Sequence, residues 1–78
     1  MRILKYLTIE SKESFEEALS KIRREIRENS FYVTESPYGL TGNHKVLKLV
    51  SKDNFEDIVK IDGPGFIIDQ LFNYFIKA

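Results

Sequence analysis

The chain has only 78 residues and no cysteine, and these two facts together constrain its fold more than any motif in it. Without disulfides or cysteine-bound zinc, its stability depends on one hydrophobic core, because so few residues cannot build a second core. A hydrophobic content of 42%, with six Phe and four Tyr, is sufficient for such a core. We therefore predict one domain that spans residues 1–78.

The lack of cysteine also bears on the compartment, because small secreted domains usually depend on disulfides. The apolar run at the start of the chain is broken at Lys5, which does not fit a signal peptide. No uninterrupted apolar stretch approaches the ~20 residues of a membrane span. These features predict a cytoplasmic protein that does not enter a membrane.

The most definite local signal is a helix start at residues 14–17. Ser14 and Glu17 have the spacing of a capping box, in which each side chain accepts a hydrogen bond from the other residue's backbone amide. The apolar residues that follow recur at helical spacing and form one stripe, namely Phe15, Ala18, Leu19, Ile22 and Ile26. We predict a helix that stops at Asn29 and Ser30.

Four segments have the alternating or β-branched and aromatic character of strands. They are residues 2–10, 31–35, 45–51 and 55–62, and the last two form a hairpin with a turn at residues 52–54. A loop runs from Pro37 to about Asn43, and residues 63–65 precede a second helix over residues 66–77. The order β-α-β-β-β-α predicts an α+β two-layer sandwich, with a mostly antiparallel four-stranded sheet and both helices on one face.

The candidate catalytic groups do not form a recognisable set. His44 is the only histidine, so any nucleophilic triad would need it as the base. Asp53 and Asp57 have the spacing of neither a calcium loop nor a two-metal motif. The turn at residues 63–65 precedes a helix, whose N-terminus can hold a phosphate, but it lacks the nucleotide-binding patterns. We expect no enzyme, no cofactor, no metal and no small-molecule substrate; a small-ligand site at Gly39–His44 or Gly63–Gly65 is the least favoured alternative.

The chain has more apolar surface than two helices over one sheet can cover. If Ile3, Leu7 and Ile9 face the helices, the other sheet face carries Leu4, Tyr6, Tyr32, Val46, Val50 and Ile58, interrupted by Thr8, Thr34, Lys48 and Lys60. The second helix, with Phe72 and Ile76, is apolar over about 200° of its circumference at ~100° per residue. Such patches indicate a partner or self-association. The alternative is a different strand packing that buries the surplus.

One flank of the first helix is basic. Arg23, Arg24 and Arg27 project to one side of the apolar stripe, and arginine binds phosphates or carboxylates. Lys48 and Lys60, with the tyrosines of the same sheet face, offer charge and stacking to single-stranded nucleic acid. The twelve basic and twelve acidic residues cancel, which disfavours non-specific nucleic-acid binding. An ordinary solvated helix flank is the simplest interpretation.

From residue 14 onward, the order α-β-β-β-α is similar to that of a double-stranded-RNA-binding domain. Such domains have a basic cluster at the start of the last helix, where this chain has Gly65-Phe66-Ile67-Ile68-Asp69. We therefore assign no binding residue from this resemblance and assign the chain to no family.

The sequence favours a small non-catalytic protein-binding module, such as an inhibitor, an immunity-type protein or an adaptor. It would act through an apolar, aromatic surface with a basic rim. The candidate partner-binding residues are Tyr6, Tyr32, Val50, Arg23, Arg24, Arg27, Phe72 and Ile76. The expected partner is another protein or a second copy in a homodimer. The alternative is a nucleic-acid-binding factor that uses the arginine flank or the Tyr/Lys sheet face.

Overall fold

The structure, a computed structural model, describes residues 2–39 and 42–77. Within these residues the chain forms two α-helices and a five-stranded sheet. The elements are β1 (Arg2–Thr8), α1 (Phe15–Glu25), a 3-10 turn (Glu28–Ser30), β2 (Phe31–Val33), β3 (Tyr38–Gly39), β4 (His44–Ser51), β5 (Asp57–Pro64) and α2 (Gly65–Lys77). The predicted α+β class is confirmed. Residues 40 and 41 of the predicted loop lie outside the described residues.

Helix α1 begins as its capping box predicts. The Glu17 amide donates to Ser14 Oγ at 3.1 Å, and the Ser14 amide donates to Glu17 Oε1 at 2.9 Å. The stripe at Ala18, Leu19 and Ile22 is buried. The helix ends at Glu25, earlier than predicted, because Ile26 is extended after its amide closes the last turn on the Ile22 carbonyl.

The sheet is mixed and has five described strands rather than the predicted four; three of its strand pairings are antiparallel and one is parallel. Its order is β1-β5-β4-β2, and the short β3 also pairs with β4. Strands β4 and β5 form the predicted antiparallel hairpin, whereas β1 pairs with β5 in parallel. A parallel neighbour requires a crossover connection, and the chain between β1 and β5 supplies one that includes α1. Strand β1 therefore lies at an edge of the sheet.

Both helices pack on one face of the sheet and enclose the core. The buried cluster contains Ile9, Ala18, Leu19, Ile22, Leu47, Leu49, Val59, Ile61, Ile67, Ile68, Leu71 and Phe75. Leu7, Phe31 and Val33 pack against it from the outer strands and are partly buried. Neither described helix combines the length and apolar content that a membrane-spanning helix needs.

A β-bulge in β1 corrects the predicted position of one core residue. The register of β1 against β5 shifts between Ile3 and Lys5, so that Ile3 pairs with Ile58 and Lys5 pairs with Val59. Paired residues share a face, and an extra residue in one strand reverses the alternation beyond it. Ile3 is therefore on the face away from the helices, while Lys5 reaches Glu25 of α1 at 2.9 Å.

Candidate functional site: the open face of the sheet

The sheet face away from the helices has several exposed apolar side chains among the described residues, and we call it the open face. The strand registers place its residues in three rows. The first row is Ile3, Ile58, Val50 and Tyr32; the second is Tyr6, Lys60 and Lys48; the third is Thr8, Asp62, Val46 and Tyr38. Because both described helices lie on the other face, neither covers these rows.

The centre of the open face is apolar and is shielded by the side chains around it. Val46, Val50 and Ile58 are buried, with Val50 only 7% exposed. The surrounding residues are exposed in part, and Tyr6 is 52% exposed. Ile3, Thr8 and Tyr38 are also exposed, whereas the half-buried residues are Tyr32, Lys48, Lys60 and Asp62. Tyr and Lys side chains lie with their apolar stems over such neighbours and keep their polar ends in water. The centre is therefore already covered within one chain, and the open face offers its exposed margin, including the Tyr6 ring, to a partner.

Phe55 extends this margin at the turn between β4 and β5. Ser51 Oγ accepts hydrogen bonds from the amides of Asp53 and Asn54, and this interaction fixes the turn. The Phe55 ring is 70% exposed and meets the Tyr32 ring edge-on at 6.3 Å between centroids. A large apolar ring in that position is costly to leave in water, which favours its burial against a partner.

The charged groups of the open face are two lysines and two carboxylates. Lys48 and Lys60 are directly opposite each other, and like charges in that position repel. Lys48 Nζ binds Glu35 Oε1 at 3.2 Å, whereas Lys60 has no salt bridge within the described residues. Asp62, through a side-chain hydrogen bond and then its charge, raises the pKa of Tyr6.

The predicted arginine flank is on the other side of the molecule, because α1 packs against the opposite face. Arg23 is bound within the fold: Nε donates to Glu28 Oε1 at 2.7 Å and Nη2 donates to the Tyr74 hydroxyl at 2.9 Å. Tyr74 in turn donates to Glu28 Oε2. The hydrogen bond from Tyr74, followed by the effect of Arg23, lowers the pKa of Glu28. Arg23 thus connects the end of α1 to α2.

Arg24 and Arg27 are exposed, and neither forms a salt bridge in the part of the chain that the structure describes. Phe72 and Ile76 are on a third surface, a groove of 250 Å³ between α2 and the segment that follows β2. Phe72 packs against the core and is half-buried, while Ile76 is exposed. The eight predicted residues are therefore divided among three surfaces. Tyr6, Tyr32 and Val50 share the open face, Phe72 and Ile76 share the groove, and the three arginines are on the flank of α1 and just after it.

Described residues of the two segments predicted as an alternative small-ligand site, including Gly39, Gly42 and Gly65, line one shallow cleft of 830 Å³. His44, Lys45 and Asp69 also line it. Lys45 Nζ binds Asp69 at 3.0 Å, so the main charges of this cleft are paired with each other. A Cβ at Gly65 would meet the Asn43 carbonyl oxygen at 2.9 Å, which gives this glycine a packing role. Among the described residues, no group of three His, Asp or Glu is placed to hold a metal ion.

Sequence reasoning did not assign Ile3, Tyr38 and Phe55 to the open face. Ile3 reaches it through the bulge, and Tyr38 is in a strand of two residues inside the predicted loop. Phe55 was expected to begin the fourth strand, but β5 begins at Asp57. The Asn54 side chain, which accepts from the Glu56 amide, is the one sequence signal of this longer turn.

Comparison with protein-family models, with curated proteins and with solved structures found no match to this chain. Its function is therefore argued from the chemistry of the open face.

Proposed function

We propose that the protein is a small non-catalytic binding module whose open face docks onto another protein. The single observation that carries the proposal is the set of exposed apolar side chains on and beside the open face, which are 41–70% exposed and which no described helix covers, namely Ile3, Tyr6, Tyr38 and Phe55. Exposed aromatic and aliphatic side chains of this kind are typical of the energetically important part of protein interfaces once a partner buries them. Inhibitors, immunity-type proteins and adaptors all act by occupying a surface in this way.

The lysines of the open face indicate what charge the partner surface has. Lys60 is at the middle of the open face without a salt bridge among the described residues, next to Tyr6 and opposite Lys48. A partner carboxylate placed over Lys60 would relieve the repulsion between the two lysines. The proposed partner surface is therefore apolar and contains at least one acidic side chain.

Nucleic-acid binding is the second candidate function. The observation that favours it is the same lysine pair beside Tyr6 and Tyr32, because lysines with tyrosines suit a single strand. The carboxylates of Glu35 and Asp62 are on or beside this face and would repel phosphates. Protein docking therefore explains more of the open face.

Site-specific photocrosslinking in the native host tests both functions. A photoreactive phenylalanine replaces Tyr6 on the open face, and in a matched control it replaces Asn73, which is exposed on α2. We expect discrete protein adducts from position 6 and none from position 73. Adducts at position 6 that nuclease removes would support nucleic-acid binding instead. Equal adducts from both positions, or none from position 6, would contradict the proposed docking surface.

A further inference from the structure

The charges of the open face are balanced, which bears on what covers it. Lys48 and Lys60 contribute two positive charges, and Glu35 and Asp62 contribute two negative charges at the same face and its margin. A face whose charges all have one sign requires a partner of the opposite charge. A face with equal numbers of positive and negative charges is able to complement a copy of itself. The whole chain is balanced too, with a formal net charge of +0, so two copies do not repel at long range.

We propose that a second copy of this chain occupies the open face, packed face to face across a two-fold axis. This inference rests on the proposed function and names the partner. The axis runs across the strands, between the row of Lys60 and the row of Asp62. In that arrangement each Lys60 lies opposite Asp62 of the second copy, and the row of Ile58 and Val50 lies over the Pro64 end of the other sheet.

Charge excludes the main alternative arrangement. A two-fold axis parallel to the strands, between β4 and β5, would place Lys48 opposite Lys60 of the second copy. That contact would bring four lysine side chains together in a partly dehydrated interface, where like charges repel more strongly than in water. The axis across the strands instead places Asp62 of one copy opposite Lys60 of the other, which gives the dimer two lysine–aspartate contacts.

The size of the open face predicts the strength of the dimer. Four strands at ~4.8 Å spacing and about seven residues at ~3.3 Å each cover roughly 450 Å² in projection. Two such faces have a projected area of about 900 Å² in total, which is below the ~1,200 Å² of standard specific interfaces and in the range of weak, transient ones. We therefore expect a dissociation constant in the micromolar range, with the monomer dominant at high dilution.

Sedimentation equilibrium from low micromolar to several hundred micromolar concentration measures the dimer directly. We expect the mass to rise from that of one chain, 9.1 kDa, toward twice that value. A mass of one chain at every concentration would overturn the inference. It would leave the proposed function intact if position 6 still forms crosslinks to a different protein.

Charge reversal then identifies the interface. Lys60→Glu and Asp62→Lys are each expected to weaken the dimer by about tenfold or more. An equimolar mixture of the two variants is expected to restore it, because each reversed charge meets its complement on the other chain. Lys77→Glu and Glu16→Lys are matched controls at exposed helix positions and are expected to leave the dimer unchanged.

Circular dichroism checks that each variant is folded. If a variant does not fold, the sedimentation series of the wild-type chain still tests whether the dimer forms. A dimer that is indifferent to both reversals, or two variants that do not associate on mixing, would overturn the proposed arrangement.

Discussion

Replacing Leu71 by alanine is expected to lower the free energy of unfolding by about 3 kcal/mol. Leu71 is 0% exposed and belongs to the core cluster, between α2 and the sheet. The truncation removes buried methyl groups and leaves a cavity that the surrounding side chains fill only in part. A domain of this length has roughly 4–12 kcal/mol of stability, so the loss is a large fraction of the total. Urea unfolding at low micromolar concentration, where the monomer dominates, measures it.

Ile76→Ala is the matched control on the same helix. Its side chain is 53% exposed, so truncation at this position is expected to change stability by less than about 0.5 kcal/mol. Together the two variants test whether α2 has apolar residues on its exposed side in addition to those that are buried in the core. Equal losses at both positions would show that Ile76 is part of the core and would contradict the packing described for α2.

Gly63→Ala is expected to lower the free energy of unfolding by about 2–3 kcal/mol, although it adds a single methyl group. A Cβ at this position would be 2.9 Å from both the Cβ and the carbonyl oxygen of Ile9. Ile9 is fully buried, and its amide donates to the Asp62 carbonyl at 2.8 Å, so the backbone cannot move away without loss of that bond. The expected fall in melting temperature is roughly 10–20 °C for a domain of this size.

Gly39→Ala provides the comparison for this prediction. Among the described residues, no atom lies within 4 Å of a Cβ built at Gly39. The substitution there is expected to be neutral or slightly stabilising, because alanine reduces the entropy of the unfolded chain. Similar melting temperatures for the two variants would refute the close approach of Ile9 to Gly63.

Signals that act within a few residues predicted their elements well. The capping box of Ser14 and Glu17 predicted the start of α1, and the strand character of residues 45–51 and 55–62 on either side of a turn predicted the hairpin of β4 and β5. The core residues of the two central strands, Leu47, Leu49, Val59 and Ile61, followed from the alternation along those strands. These features depend on local geometry alone, which the order of residues specifies directly.

Features that depend on distant partners were not predictable in the same way. The parallel pairing of β1 with β5 brings together Arg2 and Asp57, which are far apart in the sequence. No local sequence pattern determines the strand with which β1 pairs. The bulge after Ile3 follows from that pairing, so the alternation of β1 was misassigned at this residue. The two-residue β3 is too short for any periodicity to detect.

The candidate site was predictable only in part for the same reason. The apolar character of the open face followed from alternation, which assigned Tyr6, Tyr32 and Val50 to it. The separation of the arginine flank from this face depends on how α1 packs. The binding of Arg23 by Glu28 and Tyr74 joins residues 51 positions apart at its longest contact. Helical spacing gives the side of α1 on which an arginine projects but does not identify its contacts.

The central claim is that the open face is covered by a partner when the protein functions, and hydroxyl-radical footprinting measures this on the unmodified chain. In dilute pure protein, Tyr6, Tyr38, Phe55 and Phe66 are all exposed and are expected to be oxidised. At high concentration or in host extract, we predict protection of Tyr6 and Tyr38, which lie on the open face. Phe66, on α2, would remain reactive. Unchanged oxidation of Tyr6 and Tyr38 under both conditions would contradict the claim.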